Sequence, residues 1–158
     1  MTSQSRISRK AVAFAAALGL SALALATNGA AAGERIAYPS PVLDGLPYSA
    51  AVKAGDTVYV GGVLGTVRGK AELVPGGITP EARQAFAHVK EILELAGSSL
   101  QQTVKCVVLL ADIDDFKPMN AVYKEYFPKD PPTRSTIVVP AIPLGAAIEV
   151  ECNALAGD

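Results

Sequence analysis

The residues best suited to chemistry in this chain are an arginine and a set of carboxylates and polar groups. They are Arg134, Glu149, Glu151, Tyr48 and Asn120. Arg134 follows Pro131-Pro132-Thr133, a stiff approach into a strand. A guanidinium held this way can grip a carboxylate through two parallel hydrogen bonds. Glu151 lies in a strand otherwise patterned for burial, where a carboxylate at a dry interface can orient and deprotonate water. On these residues alone, a structural salt bridge between Arg134 and an acid on a neighbouring strand is the plainer reading.

Other chemistries find little material. The single histidine, His88, is expected on the polar side of a helix beside Gln84 and Glu91, so no Ser/His/Asp triad is credible. Cys106 and Cys152 lack zinc-ligand spacing, and no metal site is expected. The two cysteines can pair in an oxidising compartment, but each sits in an apolar strand pattern, where a buried free thiol is the commoner outcome. Gly61-Gly62 followed by Gly65 is not a phosphate loop, because the lysine and the directly following helix are missing.

These side chains need elements to hold them. Tyr48 to Lys53 and Thr57 to Val60 read as a hairpin around Ala54-Gly55-Asp56. A helix is expected from Thr79-Pro80-Glu81 to Gly97, with Ala82, Ala85, Phe86, Val89, Ile92, Leu93 and Ala96 on one face. Thr103 to Ala111 reads as a buried strand. A second helix runs from Asp114 or Asp115 to about Phe127, burying Phe116, Met119, Tyr123 and Tyr126. Strands follow at Ser135 to Val139 and Ile148 to Ala154. The order β-β-α-β-α-β-β implies an α+β fold, a mixed sheet with both helices packed on one face. Lys105, Val107, Leu109 and the acids of the last strand fall on the other face. That half-apolar surface needs cover, which a small domain usually obtains by self-association.

The first 32 residues stand apart. Arg6, Arg9 and Lys10 precede an apolar run from Ala11 to Ala26 and a small-residue end at Ala30-Ala31-Ala32. This is the pattern of a cleaved secretory signal peptide, too short for a membrane-spanning helix. The expected division is residues 1–32 as signal and 33–158 as one domain, located in the periplasm or secreted. Removing the signal takes three of the 14 basic groups and none of the 15 acids, leaving 11 against 15. No basic patch remains, so nucleic acid is an unexpected partner, and no second apolar stretch would hold the mature chain to a membrane.

The motifs together resemble a known family. Pro132-Thr133-Arg134-Ser135 followed by Ile148-Glu149-Val150-Glu151 is similar to the signature of the RidA/YjgF enamine and imine deaminases. Gly45-Leu46-Pro47-Tyr48-Ser49, Val52-Lys53-Ala54-Gly55-Asp56, Val58 to Gly62, Leu95-Ala96-Gly97 and Asp115-Phe116 with Asn120 and Tyr123 agree with it. The resemblance covers residues 35–156. It implies a chorismate-mutase-like fold, a homotrimer with clefts between subunits, and cofactor-free hydrolysis of 2-aminoacrylate-like enamines or imines to 2-oxo acids and ammonia. Carried over, Arg134 would bind the substrate carboxylate and Glu151 would orient water. Tyr48 and Asn120 would line the cleft, the backbone at Gly62 would receive the substrate, and Glu149 would be structural. The chain departs from the family where Gly61-Gly62-Val63 replaces Ser-Gly-Gln, where Thr136 replaces a frequent cysteine, and at Pro140-Ala141. These departures, and the export signal, leave room for a trimeric module that binds small carboxylates or a partner without turnover, or for a redox or chaperone role through the cysteines.

Overall fold

The last strand shows how pattern becomes structure. From Ile148 to Leu155, Ile148, Val150, Cys152 and Ala154 are fully buried, while Glu149, Glu151, Asn153 and Leu155 alternate to the other side. The computed structural model describes residues 34–157. The expected signal segment, residues 1–32, lies outside the described residues.

Six strands and two helices form the domain. They are β1 (Arg35–Tyr38), β2 (Ala51–Ala54), β3 (Thr57–Leu64), α1 (Ile78–Leu95), β4 (Thr103–Leu110), α2 (Phe116–Tyr126), β5 (Thr133–Val138) and β6 (Ile148–Leu155). The sheet order is β1-β2-β3-β6-β4-β5, antiparallel except for the parallel β4–β5 pair. The expected α+β class is found, with one strand more at the start. β1 is a four-residue edge strand, three of whose residues are exposed, so it carries no burial signal to read.

Both helices cover one sheet face. α1 contributes Ala82, Ala85, Phe86, Val89, Ile92 and Leu93 to the core, and α2 contributes Met119, Val122 and Tyr123. Phe86 meets Tyr123 edge-on at 5.5 Å, joining the helices. α1 ends as expected at Gly97 (φ 73°), where the Ser98 N–H reaches the Leu93 carbonyl at 2.8 Å. Its start is different: Gly77 rather than Thr79 precedes the first turn, without a side-chain cap. Instead Glu81 is buried and accepts the Ala147 N–H at 2.8 Å, tying the first turn of α1 to the entry of β6.

Three side chains lie where the sequence did not put them. Cys106 and Cys152 are not free thiols; they face each other in the β4–β6 register and form a disulfide inside the core. His88 is not a surface residue. It is 2% exposed, and its Nε2–H donates to the Thr66 carbonyl 2.8 Å away. The segment after β3, closed by a Thr66–Leu73 bridge, lies over that side of α1, and helical periodicity cannot reveal such a strap.

Candidate functional site

Arg134 stands on β5 level with Cys106 of β4. Cys106 points into the core, so Arg134 also turns to the helical side of the sheet and meets α2. Its Nη2 donates to Asn120 Oδ1 at 2.9 Å, and Nη1 lies 4.0 Å from Met119 Sδ. The guanidinium carbon sits 4.3 Å from the centre of the Tyr123 ring and 5.7 Å from that of Phe116. Burial raises the Tyr123 phenol above its usual range, against the opposing pull of Arg134, so the ring remains a neutral platform. Among the described residues no carboxylate lies within ion-pair distance of Arg134. The structural salt bridge expected from residue types is therefore absent. A half-buried cation is instead held by an amide and aromatic faces.

Glu151 is placed differently. It pairs with Val107 of β4, on the sheet face away from the helices, and is exposed. Arg134 and Glu151 thus lie on opposite faces of one sheet, and a single chain does not bring them together. Gly62 lies on the Glu151 face. Between Val60 and Val63, three steps along β3 oppose two along β6, from Cys152 to Val150. This bulge sets Gly62 against the Glu149 carboxylate, where a Cβ would collide with it. Burial, and then the nearby Glu151, raise the Glu149 carboxyl above the ordinary carboxylate range. The contact gives Glu149, structural by the family resemblance, a place at the candidate site.

Tyr48 is 58% exposed. It stands with Gly62 on the lining of a cavity of about 250 Å³, which also takes in Leu43, Leu46, Thr66, His88 and Leu144. Across the sheet, β3 and β5 are separated by β6 and β4. At about 4.8 Å per strand, Gly62 and Arg134 lie roughly 14 Å apart, beyond the span of one small substrate. The sequence-derived residues therefore form two groups, Arg134 with Asn120 and Tyr48 with Gly62. Residue types gave both groups, but not the Met119–Tyr123 platform or the Gly62–Glu149 contact, which arise from helix rotation and a bulge.

Residues 43–156 match the family model described as endoribonuclease L-PSP. The chain belongs to this family, which includes the RidA proteins. It is 45% identical over 111 residues to a protein of Capra hircus named 2-iminobutanoate/2-iminopropanoate deaminase, covering 70% of this chain and 81% of the relative. It superposes on the crystal structure of RidA from an Antarctic Psychrobacter with a TM-score of 0.70 and 35% identity, covering 75% of this chain and 97% of that one. The structure of yeast Mmf1 gives a TM-score of 0.72 at 33% identity, covering 78% and 99%.

Proposed function

We propose that this RidA-family chain hydrolyses small 2-imino acids and their enamine tautomers to 2-oxo acids and ammonia, without a cofactor and outside the cytoplasm. The observation that carries the reading is Arg134: a half-buried guanidinium, oriented by Asn120 and stacked on Tyr123, with no carboxylate in ion-pair distance among the described residues. Such a group is preorganised for a carboxylate. The names of the similar deaminases supply the reaction class.

Water adds to C2 of the imine, and the C=N electron pair moves to nitrogen, which takes up a proton. The resulting carbinolamine expels ammonia as its C–O bond becomes C=O. Glu151 orients the water and removes its proton. Because Arg134 and Glu151 lie on opposite faces of one sheet, the complete site needs a second copy, and a homotrimer built on the uncovered sheet faces would supply it. Tyr59, Val107, Leu109, Ile137 and Leu155 make that face half apolar, which favours such cover. The signal-like residues 1–32 and the internal disulfide both favour an oxidising compartment.

The separation of the two residue groups, and the lack of polar side chains at Gly61 and Val63, also support a second reading, a module that binds carboxylates without turnover. Ammonia release from imines made in place by an amino-acid oxidase separates the two. Acceleration by the purified protein, lost in Arg134→Ala, is expected. Tight binding of a 2-oxo acid with no acceleration for any imine would favour the binding module.

A further inference from the structure

The cavity beside Tyr48 and Gly62 has a composition of its own. Among the described residues no Asp, Glu, Lys or Arg lines it. Its walls are largely aliphatic, with Val42, Leu43, Leu46, Val63, Ile92 and Leu144 among them. Its polar side chains are four hydroxyls and one histidine, and two of the five are already engaged. Ser40 Oγ accepts the N–H groups of Val42 and Leu43 at 3.2 and 3.1 Å, and His88 Nε2 is 2.8 Å from the Thr66 carbonyl. A charged ligand group placed here would lose its water without meeting an opposite charge.

One lining residue is held at a cost. Leu144 has φ 61° and ψ 7°, the left-handed region that a leucine rarely enters. The residue is 53% exposed, so core packing does not account for the conformation. What the conformation does achieve is an apolar side chain on the cavity wall.

We infer that this cavity is the side-chain subsite of the proposed deaminase, and that it selects 2-imino acids with apolar side chains of leucine to phenylalanine size. The inference rests on the deaminase reading and deepens it. The space is adequate: a dry apolar cavity of about 150 Å³ holds a benzene ring, and this one measures about 250 Å³. Gly62, whose backbone would receive the substrate by the family resemblance, lies on the same lining, so a side chain on C3 would have a direct way in.

The test compares kcat/KM for imines generated in place from alanine, leucine, phenylalanine and glutamate, with the purified protein and with Leu144→Gly. Glycine relieves the left-handed conformation, so the variant keeps its fold, which a thermal melt checks. A preference for the leucine- and phenylalanine-derived imines of about tenfold or more over the alanine-derived one is expected, with the glutamate-derived imine last. In Leu144→Gly the leucine-to-alanine ratio should fall about fivefold, a change that loss of structure alone would not produce. A flat or reversed order with clear turnover would overturn the subsite and leave the deaminase standing. No turnover of any imine would remove the deaminase reading, and the subsite with it.

Discussion

At the scale of single residues, the argument turns on why position 134 is arginine. A lysine would carry the same charge but could neither form two parallel bonds to a carboxylate nor lie flat on Tyr123. Arg134→Lys should therefore lower kcat/KM by about 100-fold, mostly through KM, in the imine assay. Asn120→Ala removes one charge-assisted bond that orients the guanidinium, and a loss of roughly tenfold is expected. Glu149 invites a pH test. Its carboxyl is raised by burial and by Glu151, so the folded state holds that proton more tightly than the unfolded chain. The stability this contributes is present below the ordinary carboxylate range and is lost as pH rises through the raised value. Glu149→Gln should melt about 2 °C above the natural protein near neutral pH and level with it at about pH 4. Arg134 was legible because a stiff proline approach and a lone cation in a strand mark it. The partners beneath it were not, because periodicity gives the buried face of α2 without saying which residue of that face meets β5. Phe116, expected in the core, is 38% exposed and flanks the guanidinium instead.

At the scale of elements, the same limit recurs. Apolar alternation placed β6, a nearly continuous apolar run placed β4, and the apolar stripe placed α1, because each buries one face. β1, the bulge at Gly61-Gly62 and the strap over His88 escaped, since each is fixed by what lies beside it rather than by its own pattern. The cysteines show this most plainly: each strand read correctly as buried, yet only the β4–β6 register makes Cys106 and Cys152 opposite neighbours. The disulfide closes a loop across 46 residues of sequence and should stabilise the domain by roughly 2–4 kcal/mol. Denatured protein prepared without reductant should show no titratable thiol, and prior reduction should lower Tm. Two free thiols in protein recovered from its native compartment would speak against both the pairing and export. Elsewhere, Glu81 joins α1 to β6 through the Ala147 N–H. Glu81→Ala leaves that part-buried donor without its carboxylate partner and should cost about 1 kcal/mol, read from denaturant melts.

At the scale of the whole molecule, the uncovered sheet face decides whether there is a site at all. Within one chain Arg134 faces α2 while Glu151 faces away from it, and Tyr48 and Gly62 lie toward the other side of the sheet. A substrate gripped by Arg134 can meet Gly62 and Glu151 only if they come from a second copy. The face that would carry such an assembly is the one bearing Val107, Leu109 and Ile137, the last 49% exposed. A carboxylate there would be buried without a partner on association, yet stand in water in the separated chain. Ile137→Asp should therefore leave the single chain folded, as judged by circular dichroism, while shifting its mass in solution from the three chains of the proposed trimer to one. Deaminase activity should fall with the assembly, by about 100-fold or more, because the carboxylate clamp and the water-orienting group no longer meet. Activity that persists in a demonstrably monomeric variant would mean that one chain completes the site by a rearrangement absent from this structure, and the shared-site argument would fail.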